Sequence, residues 1–338
     1  MGLPALAAGG RGLNRDALER NQIPLYFVAV IIAILLGLMA PGIARGLDAL
    51  VTPAIAVLMY AMFLQIPFLD LRQGLGHKGF MSALLLANFV LVPLLAWALS
   101  RGLVAHPAIL VGALLVLLTP CIDYVVVFTH IGRGDSRRVL AATPILLLLQ
   151  LILLPVYLAC MLGGQSAVVI AVGPFVEAFL LLIVAPLLLA LTTSALARRS
   201  RVVTAWNDSW AWLPVPAMAA VLVAVIGSQI AGVVRDIERL APVLPVYLGF
   251  LLLAPLAGAL AARLCRLPAS AARAVVFSAS TRNSLVVLPL ALALPEDIRS
   301  LAAAAVITQT LVELVGELIY VRAIPALVWR NRPDDSQG

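Results

Sequence analysis

Residues 80–100 read FMSALLLANFVLVPLLAWALS, an apolar stretch without a charged side chain. An α-helix rises 1.5 Å per residue, so about 20 such residues cross the hydrocarbon core of a bilayer. Pro24 to Ala40 and Leu47 to Leu69 repeat the pattern upstream. The alternating segments of about 10 residues that mark an outer-membrane barrel are absent. Lipid offers the backbone no hydrogen bonds, so these stretches must pair their own N–H and C=O groups as helices. The whole chain agrees. It has 338 residues, 63% hydrophobic and 12% charged, with a mean hydropathy of +1.09. A soluble domain carries roughly 25% charged residues, so most of this chain cannot face water.

The reading extends to ten spans, at about 22–40, 47–69, 80–100, 107–129, 138–162, 168–193, 209–233, 240–262, 272–294 and 300–325. Residues 1–21 and 326–338 are polar tails, and the N-terminus lacks the pattern of a cleavable signal. Loop charges test the count. Of the 23 basic residues, 17 fall in one set of alternating loops and tails, five in the other, and Arg282 lies inside a span. That asymmetry predicts both termini in the cytoplasm of a multi-pass protein of the plasma (inner) membrane. It also accounts for the net charge of +7 without nucleic acid as a partner. Ten spans divide into halves of five, 22–162 and 168–325. Five is odd, so the second half enters the membrane inverted, the geometry many secondary transporters use. The expected fold class is therefore an all-α integral membrane protein of two inverted five-helix repeats.

The fourth and ninth spans carry polar clusters at mid-depth. One reads Leu118-Thr119-Pro120-Cys121-Ile122-Asp123-Tyr124, the other Ser278-Ala279-Ser280-Thr281-Arg282-Asn283-Ser284. Pro120 removes a helix hydrogen bond and crowds the preceding turn. Both spans are expected to break there, exposing helix ends to a solute or ion. A lone charge at the bilayer centre costs at least about 2.5–3.5 kcal/mol, which predicts that Asp123 and Arg282 pair. Such a pair either docks the two broken helices or lines the site and releases one partner. Cys121 follows the proline, where a helix end can activate a thiol, or it is a small buried hydrophobe. Cys160 and Cys265 have no polar setting. Three cysteines this far apart make neither a disulfide framework nor a structural zinc site, and no cofactor is expected.

Other polar residues within spans are Gln65, Asn88, Gln150, Glu177, Gln309, Glu313 and Glu317. Glu313 and Glu317 share a helix face, with Gln309 on the same stripe. They either relay protons, pair with Arg322 or lie near an interface. Asn88 and Gln65 either bond neighbouring helices or touch substrate. His130 is expected at the interface, and Trp206, Trp210 and Trp212 as an aromatic belt opening the seventh span.

On these residues the chain resembles the bile acid/sodium symporter superfamily, and within it the arsenite efflux carriers. The stretch from Thr119-Pro120-Cys121 to Gly134-Asp135 is similar to that family's fourth span. Leu86-Ala87-Asn88 with Pro93, Leu58-Met59-Tyr60-Ala61, Ala279-Ser280 with Asn283 and Leu285, and Leu311-Val312-Glu313 are similar to its third, second, ninth and tenth. The resemblance implies a panel and a core domain, broken fourth and ninth helices that cross, and a metalloid-binding role for Cys121. The chain also departs from the pattern. No carboxylate lies between Val275 and Leu294, where arsenite carriers place a glutamate and sodium-coupled relatives place sodium ligands. Arg282 is the charge in that window, and Asp123 and Tyr124 replace uncharged residues. A fixed guanidinium would repel sodium, so sodium coupling is not expected. Arg282 either stands in for the cation or binds an anionic substrate group.

The leading expectation is a carrier exporting arsenite or a related metalloid, with soft Cys121 as the arsenite ligand and Asp123 or Glu313 coupling to protons. The alternative is a carrier of a small organic anion held by Arg282 and the broken-helix ends. Thr119, Tyr124, Thr281, Asn283 and Ser284 complete the expected substrate site, with Gln65, Asn88 and Gln309 in support. An enzyme is not expected: neither a His-Glu-x-x-His run nor a Gly-x-Ser-x-Gly elbow occurs.

Overall fold

The computed structural model describes residues 21–65, 77–122, 124–166, 177 and 179–328. Both expected tails beyond these bounds, and Asp123, lie outside the described residues. What is described is almost entirely helical, with no β-strand and one isolated β-bridge among the described residues. The helices are α1 (Gln22–Met39), α2 (Asp48–Gln65), α3 (Lys78–Leu103), α4 (Pro107–Leu117), α5 (Tyr124–Ile131) and α6 (Ser136–Ser166). They continue with α7 (Ala185–Ala197), α8 (Arg201–Trp210), α9 (Pro214–Arg235) and α10 (Ile237–Leu264). The chain closes with α11 (Ala269–Ser280), α12 (Ser284–Leu292) and α13 (Glu296–Leu327). Among the described residues, five helices are long and apolar enough to cross a membrane, and four more are apolar but shorter.

Proline sets several boundaries. Pro107 and Pro214 open α4 and α9, where the missing N–H costs nothing. Pro144 and Pro155 sit inside α6, as neighbouring helices permit in a membrane. The surface is inverted relative to a soluble protein. Ile152, Leu252 and Leu256 are each about two-thirds exposed, while Asn88, Thr119, Arg282 and Glu317 are fully buried. Lipid around the apolar exterior explains both halves of that pattern, and the chain is a multi-pass membrane protein.

Packing divides the helices into two groups. α9 lies against α1 and α2, and α2 against α7. α13 packs on α4 and α12, and α10 on α11 and α3. The groups meet where α9 touches α13. Close approach needs glycine at two points in the second group. A Cβ at Gly112 would lie 2.4 Å from the Ala302 carbonyl oxygen, and one at Gly258 would lie 2.8 Å from Val276 Cα.

The tryptophans differ from the sequence expectation. Trp206 and Trp210 belong to α8, a separate amphipathic helix, and the following long helix starts only at Pro214. Trp206 Nε1 donates to the Tyr60 hydroxyl at 3.2 Å, and Trp210 meets the Tyr60 ring edge-on at 4.9 Å. Asn207, Asp208 and Ser209 make this segment too polar to extend the apolar run, so it folds against α2. Cys160 is exposed and Cys265 half-buried; only Cys121 is a buried cysteine.

Candidate functional site

Two interruptions build the site. α4 stops at Leu117, and Pro120 supplies no N–H to continue it. The Thr119 hydroxyl donates back to the Leu115 carbonyl at 2.8 Å. α11 stops at Ser280, and Thr281 is extended. The two extended segments meet as an antiparallel bridge between Pro120 and Arg282. Its bonds are Cys121 N–H to Thr281 O at 3.1 Å and Asn283 N–H to Thr119 O at 2.9 Å. Beyond it Asn283 Oδ1 accepts the Val286 N–H at 3.2 Å, capping α12. Four half-helix ends therefore meet inside the protein. α4 and α11 bring their partly negative C-termini, α5 and α12 their partly positive N-termini.

Arg282 is wholly buried. Its Nη2 donates to Ser278 O at 2.6 Å, Ala279 O at 2.9 Å and Asn88 Oδ1 at 2.8 Å, and Nη1 to Leu117 O at 3.5 Å. Its Nε has no partner among the described residues, and Phe250 presents its ring 5.6 Å from the guanidinium. The expected pairing with Asp123 falls on a residue outside those described. Asn88 is oriented by its own amide, which donates to Leu84 O at 3.1 Å and Ser278 Oγ at 3.0 Å. It sits in a π-helical turn, Ala87–Leu91, that widens α3. Tyr157 donates to Phe89 O there at 2.6 Å. Such turns are frequent at functional sites.

The acids of α13 close the other side. Glu313 Oε2 accepts the Arg282 backbone N–H at 2.9 Å and the Gln309 amide. Its Oε1 lies 2.5 Å from the Tyr124 hydroxyl, which also donates to Arg282 O at 2.8 Å. Glu317 Oε1 lies 2.6 Å from Thr281 Oγ1, which donates to Phe277 O at 2.7 Å. Both acids thus face the ninth-span break, and Arg322 is exposed. Ser284 accepts from the Thr310 hydroxyl at 2.7 Å.

Thr119, Cys121, Tyr124, Thr281, Arg282, Asn283, Ser284, Asn88, Gln309 and Glu313 therefore gather at one crossing. Gln65 does not join them: it is exposed and donates to Ala211 O at 3.3 Å. His130 is exposed at the end of α5. Sequence reasoning placed Ser278 in the ninth-span cluster but not as a contact of Asn88, and it missed Phe250 as the ring over Arg282, which belongs to no polar motif that singles it out.

A narrow pocket lies beside the crossing. Tyr26 of α1 with Met218 and Leu222 of α9 line one wall; Tyr124, Ser284 and Thr310 line the other. A second touches Leu117, Phe250, Ser280, Gln309 and Glu313. Cys121 is fully buried and lines neither. Among the described residues no group of three His, Cys, Asp or Glu is placed to hold a metal ion.

The architecture is that of a helical membrane protein with two interrupted helices crossing at a buried polar centre, beside a cavity between two helix groups. A family model, Sodium Bile acid symporter family, matches residues 52–236. That is more than half of the chain, and the chain belongs to this family, so it is a secondary membrane transporter. The match takes in Pro120 and Asn88 and ends before Arg282. No curated protein matches the chain.

Proposed function

We propose that this transporter carries an amphipathic organic anion, linked to protons and not to sodium. The cavity between the two helix groups carries the reading. Its walls are aromatic and aliphatic, with the hydroxyl-bearing residues Tyr26, Tyr124, Ser284 and Thr310 among them. An apolar body with one polar group suits such walls. Tyr124 and Ser284 are the first residues of α5 and α12, so an anionic group there meets two positive helix ends. Arg282 keeps its guanidinium on the protein's own oxygens.

Hydrogen-bond counting supports the proton link. Among its described contacts, the Tyr124 hydroxyl has one proton for two oxygens, Arg282 O and Glu313 Oε1. A protonated Glu313 resolves this: its O–H donates to Tyr124, and Tyr124 donates to Arg282 O. When Glu313 is ionised, Tyr124 must turn toward it and release the carbonyl at the break. Loading a proton on Glu313 thereby alters the backbone next to the solute cavity. Asp123 is the other proposed proton carrier.

The metalloid reading is second. Cys121 favours it, as a thiol held at the bridge itself. The proposed topology is ten spans in two inverted halves, with both termini in the cytoplasm of the plasma membrane. It rests on the loop charges and on two helix breaks joined by a reciprocal pair of backbone bonds. Reporter fusions at successive loops check it.

Everted vesicles separate the substrates. Aryl or sterol carboxylates should be transported under a pH gradient equally well in sodium or choline. Arsenite export that Cys121→Ser abolishes, with no carboxylate flux, would replace the organic-anion reading by the metalloid one.

A further inference from the structure

The oxygens around the Arg282 guanidinium have a common origin. In an unbroken helix, Leu117 O would accept from Cys121 N–H, Ser278 O from Arg282 N–H and Ala279 O from Asn283 N–H. Each of those donors is diverted. Cys121 N–H goes to Thr281 O, Asn283 N–H to Thr119 O, and Arg282 N–H to Glu313 Oε2. The crossing therefore leaves three carbonyls unclaimed at the negative ends of α4 and α11, and Asn88 Oδ1 adds a fourth oxygen. Among the described residues, all four acceptors are neutral. Neutral oxygens at half-helix C-termini are the ligands with which membrane transporters hold a hard monovalent cation. A guanidinium fills this set imperfectly, since its Nε is buried without a partner among the described residues.

We propose that these four oxygens form an alkali-cation site that the chain fills with its own side chain, making Arg282 a tethered substitute for a coupling ion. A dissociable ion would bind and leave during each cycle; a covalently attached one cannot. The crossing stays charge-compensated throughout, and the sodium gradient supplies no driving force. Removing the side chain while keeping the oxygens should expose the site to Na+. The inference deepens the sodium-independent transport reading, but its test does not pass through transport.

The test is thermal unfolding of the purified full-length protein in detergent, in NaCl, KCl and choline chloride at matched ionic strength. The wild type should give one midpoint in all three. Arg282→Ala should unfold at lower temperature in choline and shift upward, saturably, with NaCl or KCl, because a ligand that binds only the folded state raises its stability. Methylguanidinium should produce the same shift. Arg282→Gln is a second variant, should the alanine protein not fold, and it should also respond to Na+. Arg282→Lys keeps the charge and should not. Adding Asn88→Ala to Arg282→Gln should abolish the Na+ shift by removing one ligand. If neither Arg282→Ala nor Arg282→Gln responds to any of these cations, or the wild type is itself stabilised by Na+ over choline, the proposal is overturned. Loss of organic-anion flux would leave this result untouched.

Discussion

Arg282 concentrates the electrostatic problem of the molecule in one side chain. A buried guanidinium must find acceptors, and hydrogen bonds to a charged group contribute about 1.5–3 kcal/mol each. Asn88→Ala removes the one side-chain acceptor among the described partners and also the donor to Ser278 Oγ. It should lower stability by about that amount, read as a lower unfolding midpoint or denaturant midpoint. Glu313→Gln fixes an uncharged group beside Tyr124. It should abolish solute accumulation driven by a pH gradient while sparing solute–solute exchange, measured by counterflow in proteoliposomes. At this scale the sequence was half legible. A charge inside an apolar span announced Arg282, and an amide inside another announced Asn88. Their partnership was hidden, because three of the four acceptors are backbone carbonyls, which every residue carries. The thiol of Cys121 was legible as a candidate, but its position away from both cavities was not.

Helices show a similar division. The break after Leu117 follows from Pro120, a local steric fact. The break after Ser280 follows from a run of small polar residues that lipid would not tolerate. The π turn at Ala87–Leu91 has no such signal: Leu-Ala-Asn-Phe-Val suits an ordinary helix, and the turn is held by Tyr157 reaching across from α6. Nor was α8 separable from the apolar segment after it until Tyr60 was seen to hold Trp206 and Trp210. Close packing of α4 on α13 gives a test at this scale. Gly112→Ala places a methyl group 2.4 Å from Ala302 O and 2.9 Å from Ala302 Cα, backbone atoms that cannot rotate away. It should sharply reduce the yield of monodisperse protein on size-exclusion chromatography. Gly102→Ala, with nothing within 4 Å, should match the wild type.

In the whole molecule, two helix groups enclose the larger cavity, with α1 and α9 on one side and the broken-helix ends on the other. Relative movement of the groups would open and close it around a fixed polar crossing, as alternating access requires. Leu222→Trp should fill this space from α9. The expected outcome is loss of organic-anion binding with little change in unfolding midpoint, checked by ligand-induced thermal shift against the wild type.

By itself the sequence determined the solvent, the helical class with its breaks after Leu117 and Ser280, and the need to bury Arg282 in protein. Each follows from short-range facts: run length against bilayer thickness, proline against helix geometry, charge against hydrocarbon. The tertiary structure alone decided what Arg282 holds and what faces the solute. Arg282 and Asn88 are 194 positions apart in the chain, and the carbonyls between them became acceptors only when two broken helices exchanged their backbone bonds. Hydropathy and residue type carry no record of that exchange, because it depends on which N–H is diverted where the chains cross.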